Sequence, residues 1–123
     1  MIIDSIVAEA MILSSAIEDY RGLCDVILQL DGIYPAAPLG EKYDAADAAI
    51  RSLLTRKWIV LYRAEFGPGG ERLRQDKLSG ELVDQALRDP ASWHPALGEV
   101  LIELGSTKAG EKAYQAGELP FPQ

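Results

Sequence analysis

The chain opens with apolar residues at Ile3, Ile6, Val7, Ala10, Leu13 and Ile17, the three-and-four spacing that turns one side of a helix toward a core. Asp4 or Ser5 is placed to cap its start, and Glu9 and Glu18 fall on the face left for solvent. The stretch "DYRG", residues 19–22, breaks the pattern, because glycine is costly inside a helix. Leu23, Val26, Ile27 and Leu30 restore it for a short second helix. That helix is predicted to end at "DGIYPAAPLG", where Gly32, Pro35, Pro38 and Gly40 argue against regular structure. A third helix is predicted over 41–57, with Tyr43, Ala46, Ile50, Leu53 and Leu54 as its buried stripe. Its acids come early and Arg56 and Lys57 come last, the order that complements the helix dipole.

From Trp58 the period changes. Residues 58–66 are rich in aromatic and β-branched side chains and read as a strand, with Arg63 and Glu65 alternating with Ala64 and Phe66. "GPGG" turns the chain into a short return strand near 71–75. A fourth helix over 80–88 sets Leu82, Val83, Ala86 and Leu87 on its packed side behind a Ser79 cap. Asp89 then caps a single turn that begins with Pro90. "HPALG" is loop. Val100, Ile102 and Leu104 alternate with Glu99 and Glu103 as a half-buried strand, a last helix spans 106–116, and 117–123 is a loose tail. The pattern therefore predicts one α+β domain over 1–123, mostly helical, with a small antiparallel sheet.

At 123 residues such a domain buries roughly two-thirds of the surface its unfolded chain exposes. A hydrophobic fraction of 48% and a charged fraction of 25% are those of an ordinary globular protein. No apolar run approaches the roughly 20 residues that span a bilayer, and "MIIDSIVAEAMIL" lacks the basic flank of a secretory signal. With Cys24 as the single cysteine no internal disulfide can form, so a cytoplasmic protein is expected. The net charge of −7 weighs against phosphate as a default partner. Eight of the twelve basic residues nevertheless fall within 41–77, against six acids there, while both flanks are acidic.

Two stretches carry a resemblance to a known superfamily. "AIRSLLTRKWIVLYR" is similar to the third helix and first wing strand of bacterial winged-helix regulators, where a leucine pair precedes a basic turn. "ELGSTKAGEKAY" is similar to the strand end and helix start that close the wing in MarR-type and PadR-type regulators, with Thr107 three residues before Gly110. The likeness covers roughly residues 20–116. It implies a winged-helix-like fold whose antiparallel wing is enlarged by an inserted helix, since about thirty residues separate the two main strands. It also implies a DNA-binding surface made by helix 41–57 and the wing, comprising Lys42, Arg51, Thr55, Arg56, Arg72, Arg74 and Lys77. The first helix would then serve as a dimer element. Two departures stand out. Ten residues, 31–40, separate the second and third helices where such regulators have a tight turn. The N-terminal positions of the recognition helix, which contact bases, are Glu41, Lys42, Asp44 and Asp47, and three of these four repel phosphate.

Little else carries chemistry. His94 is the single histidine, so no Cys/His metal site can be assembled. Cys24 has Arg21 as its one cationic neighbour in sequence, too little to mark a nucleophile. "GPGG" lacks the Lys and Ser/Thr of a phosphate loop, and the Ser and Thr of "GSTK" suit helix caps. No cofactor, metal or catalytic residue is expected. The first expectation is a non-enzymatic interaction or regulatory module that binds a protein, self-association included, through a winged-helix scaffold. Its acidic flanks, with Glu99, Glu103, Glu111 and Glu118 added to helix one, suit a basic partner. The second expectation is a DNA-binding transcriptional regulator. That reading requires Arg51, Arg56, Arg72 and Arg74 exposed together and free of carboxylates. The protein reading requires a contiguous acidic or apolar patch.

Overall fold

Asp4 begins the first helix as predicted, its side chain accepting from the backbone N–H groups of Ile6 and Val7 at 2.8 and 3.3 Å. In the structure, a computed structural model that describes residues 3–94 and 100–119, α1 runs over Ser5–Glu18 and is followed by β1 (Arg21–Gly22), α2 (Leu23–Ile33) and α3 (Leu39–Thr55). Then come β2 (Ile59–Phe66), β3 (Arg72–Lys77), α4 (Glu81–Arg88), α5 (Pro90–Trp93), β4 (Val100–Ser106) and α6 (Lys108–Gln115). The fold is α+β, with six helices and one antiparallel sheet of order β1-β4-β2-β3 among the described residues.

The single apolar stripe expected of α1 is not what is buried. Ala8 through Leu13 are all buried, with Ser15 and Ala16, while Ile6 is exposed. The helix lies against α3, β4 and α6 at once, so most of its circumference is core. Glu9, expected in water, is consequently only 6% exposed.

"DYRG" is a break that pairs. Arg21 and Gly22 form a two-residue strand opposite Leu104 and Glu103, and the Asp25 side chain reaches back to accept from Gly22 N–H at 3.1 Å, starting α2. The expected irregular stretch 31–40 is mostly helix. Gly32 lies in the last turn of α2 and Gly40 in the first turn of α3, where an end residue costs far less than one in mid-helix, and Pro38 is the N-cap of α3. Residues 34–38 remain as the linker, half the predicted length. The sequence departure built on that length therefore shrinks.

Helix α3 ends two residues before its predicted limit. Lys57 takes φ 62°, its N–H donates to Leu54 O, and Trp58 N–H donates to Leu53 O, both at 3.0 Å. This left-handed closure ends the helix and aims the chain into β2. Leu61 pairs with Leu104 and Ile59 with Ser106, and their side chains face the helices. Strand β4 is buried on both sides over Ile102–Gly105, since β1 and β2 flank it and Tyr20 and Arg72 cover its outer face. It is thus a central strand where a half-buried one was expected, and Glu103 is inside.

The insertion between β2 and β4 is attached lightly. Gly80, at φ 60°, precedes α4 in place of a Ser79 side-chain cap, and Leu82 is 53% exposed, leaving Leu87 as the buried residue of α4. Asp89 caps α5 as predicted, accepting from Ala91 N–H at 2.9 Å, and the Trp93 indole donates to Leu87 O at 2.9 Å. His94 is exposed. The rest of the loop predicted over "HPALG" lies outside the described residues.

Thr107 joins two corners. Its hydroxyl donates to Lys57 O at 2.7 Å and accepts from Gly110 N–H at 3.0 Å, capping α6. Gly110 is required there for a steric reason, because a Cβ would meet Trp58 O at 2.2 Å. The expected loose tail begins ordered. Glu118 N–H donates to Ala113 O and Leu119 is buried, while residues 120–123 lie outside the described residues.

Candidate interaction surfaces

Five of the seven residues expected to form a phosphate-binding surface carry a carboxylate partner. Lys42 is 4% exposed, and its ammonium donates to Asp31 at 2.5 Å, tying the start of α3 to the end of α2. Arg51 is gripped from two sides, by Asp47 one turn earlier at 2.9 Å and by Asp84 of α4 at 2.8 Å. These hydrogen bonds, Asp84 first, hold the guanidinium in its charged form more firmly than usual. In turn the Arg51 bond holds the Asp84 carboxyl below its ordinary range, with Arg88 assisting at 3.0 Å. The inserted helix is thereby pinned to α3. The Thr55 hydroxyl turns back to Arg51 O. Arg56 stacks 4.9 Å over the Trp58 ring and lies 3.9 Å from the buried Glu9, whose nearer oxygen accepts no hydrogen bond.

Arg72 and Arg74 sit on opposite faces of the sheet. Arg72 donates to both oxygens of buried Glu103 at 2.8 Å and packs over the rings of Tyr20 and Phe66. Tyr20 meets Tyr62 edge-on at 5.6 Å, completing a self-satisfied aromatic and charged cluster. Arg74 pairs with Asp76 at 2.6 Å beside the neighbouring Arg63–Glu65 pair. Lys77, at the end of β3, has no carboxylate partner. All four arginines that a DNA surface requires thus carry a carboxylate partner; Asp47 is the partner that its spacing offers Arg51, while Glu9, Asp84, Glu103 and Asp76 went unassigned to that role. The i, i+4 spacing of Asp47 with Arg51 and of Asp84 with Arg88 is legible in sequence. The Arg72–Glu103 and Arg51–Asp84 bridges join residues more than thirty positions apart and leave no local signal.

The acidic surface expected on helix one also changes. Glu9 and Glu103 are both buried and Glu99 is outside the described residues, which leaves Glu18 and the exposed Glu111 and Glu118. An apolar and acidic corner emerges elsewhere. Leu28 at 69% in the middle of α2, Ile33 at its end and Leu39 at 59% at the start of α3 are exposed, and Asp31, Glu41 and Asp44 of the same stretch are exposed too. Among the described residues these are three of the eight large hydrophobics left exposed, within twelve residues of sequence.

Chemistry of other kinds finds little footing. Tyr43 Oη and His94 Nε2 are 2.5 Å apart, and Trp93 meets Tyr43 edge-on, at the mouth of an open apolar pocket of about 280 Å³ between α3 and α5. Burial, with the negative charge of Asp25 beside it, pushes the Cys24 thiol above its ordinary range and away from the thiolate. Among the described residues no three of His, Cys, Asp and Glu converge to hold a metal ion, and no helix is long and apolar enough to cross a membrane. Against family models, curated proteins and solved structures alike, the chain matches none.

Proposed function

We propose that this chain is a non-enzymatic, cytoplasmic interaction module on a winged-helix-type scaffold, and that it binds a protein partner through the corner formed by residues 28–44. The order three helices, strand, glycine turn, strand and closing helix supports the scaffold, with β3, α4 and α5 as the enlarged wing. The observation that carries the function is the corner itself. Where a DNA reader sets its base-contacting residues, this chain exposes Leu39, Glu41 and Asp44, and Leu28 and Ile33 are exposed on the preceding helix. Exposed apolar side chains rimmed by carboxylates suit a partner with a complementary apolar centre and basic rim. DNA binding is the weaker reading, because counterion release requires free cations and the arginines of α3 and the wing are spoken for.

Two titrations test this. A fluorescent mixed-sequence duplex at low salt is expected to show no salt-sensitive binding, and binding abolished by Arg51→Ala with Arg56→Ala would restore the regulator. A partner captured from the source cell is expected to lose its hold with Leu28→Ser and Leu39→Ser, and to keep it with Leu73→Ser in the wing. Equal loss from Leu73→Ser would move the interface away from the corner.

A further inference from the structure

Charge pairing divides the basic residues of this acidic chain into two groups. All seven arginines, with Lys42, have a carboxylate within ion-pair distance. Lys57, Lys77, Lys108 and Lys112 have none, although nineteen acids are present in the sequence. Two of these four free cations, Lys57 and Lys77, line one open pocket of about 360 Å³ between the end of α3, the end of β3 and the start of α6. A third, Lys108, directly follows Thr107, which also lines it. The lining is mixed, and its apolar side chains Leu54, Val60 and Leu78 are only partly buried by the fold.

Lys57 is conspicuous for its backbone. It is the one non-glycine residue with positive φ among those described, in a helix-closing position that glycine or asparagine fills without strain. The conformation is held by the Schellman-type bonds to Leu53 and Leu54 and by the Thr107 hydroxyl on Lys57 O. A lysine kept in a strained position, with no carboxylate among the described residues, at a pocket with apolar lining residues is suited to a partner outside the chain. The alternative, attraction of the ammonium to the last carbonyls of α3, accounts for Lys57 but not for Lys77, which lines the same pocket from the end of β3.

We infer that this pocket binds a small amphipathic monocarboxylate, its carboxylate between Lys57 and Lys77 and its apolar body against Leu54 and Leu78. Lysines are compact point charges without the fork that grips an anion bidentately. They supply attraction, while the apolar side chains of Leu54 and Leu78 select a singly charged ligand with an apolar body. The pocket's volume limits the body to a short chain or single ring. No residue of it belongs to the corner 28–44, so this inference stands or falls independently of the protein-binding reading.

Sodium octanoate is the probe, titrated below micelle formation into the ¹⁵N-labelled full chain. Saturable shifts are expected at the amides of Lys57, Val60, Lys77, Leu78 and Thr107, with a Kd on the order of 1 mM for a ligand of this size. Octanol, which lacks the charge, and acetate, which lacks the tail, are each expected to bind at least about tenfold more weakly, as is octanoate to Lys77→Gln. Lys57→Gly separates ligand from fold. It relieves the positive φ and is expected to raise Tm by about 3 °C, yet to lose octanoate binding. Undiminished binding to Lys57→Gly or Lys77→Gln, equal binding of octanol, equal binding of acetate, or shifts centred elsewhere or absent would each overturn the assignment.

Discussion

Helix α1 buries eight of its fourteen residues, whereas the eight-residue α4 fully buries Leu87, packs Val83 and Ala86 partly buried against the core, and is tied by the carboxylate of Asp84 to Arg51. Their sequences do not announce this. Both read as a one-sided stripe, with Leu82, Val83, Ala86 and Leu87 on the packed side of α4 and Glu9 and Glu18 left for solvent in α1. The difference teaches that amphipathic contrast describes what a helix is able to bury against one surface, not how much surface the fold supplies. Surrounded on three sides, α1 needs apolar residues all round. Helix α4 buries one residue fully and leaves Leu82 in water. Stability is therefore expected to be concentrated in α1, α3, β2 and β4, with α4 at the low end of local unfolding free energies.

The largest test of that contrast removes a core side chain. Ile12→Ala, at a fully buried position of α1, is expected to cost about 2–5 kcal/mol in urea unfolding. Leu87→Ala should cost visibly less, since the insertion is free to settle into the space, and equal costs would break the comparison. Next, Gly110→Ala drives a methyl into the Trp58 carbonyl and is expected to destabilise by about 1–3 kcal/mol. A neutral result would mean that α6 slides freely on the α3–β2 corner. Arg51→Ala sharpens the comparison from the other side. Amide exchange should quicken in α4 and stay unchanged in α1, and uniform quickening would show that the two regions unfold together.

Acid provides a finer probe of the same fastening. The Asp84 carboxyl is held below its ordinary 3.8 by the hydrogen bond from Arg51. Its contribution is thus present above that ordinary value and is lost as pH falls through the depressed native one. The carboxyl carbon of Asp84 should titrate below a typical aspartate, and Arg51→Ala should raise its midpoint. An unmoved midpoint would remove Arg51 as the cause. The smallest effect is expected at Leu82→Ser, within about 0.5 kcal/mol, because that side chain is already in water.

Much of the architecture was legible from local chemistry. The Asp4 and Asp89 caps, the Thr107 cap with its glycine three residues on, the strand from Ile59 and the turn at "GPGG" each announce themselves through spacing. Two kinds of error share one cause. Reading Gly32, Pro38 and Gly40 as interruptions gave glycine and proline a fixed cost, when at a helix end they cost little. Reading Glu9 and Glu103 as surface acids gave carboxylates a fixed address, when a neighbouring arginine and a central position in the fold place both inside. The expected basic surface treated arginines as free in the same way. Arg51, Arg72 and Arg74 are where the sequence suggests, but their partners are assigned by packing.

By itself, then, this sequence determined the number, kind and approximate bounds of its main elements, because caps, periodicity and turn residues act within a few positions of one another. Only the tertiary structure decided which charges remain free. Asp84 reaches Arg51 across 33 positions and Glu103 reaches Arg72 across 31, contacts made by the closing of the sheet and the folding back of the insertion. Coulomb attraction depends on distance in space, and a sequence records only distance along the chain. That is why Lys57 and Lys77, twenty residues apart, emerge among the described residues as cations without a carboxylate on one pocket while the row of arginines is paired.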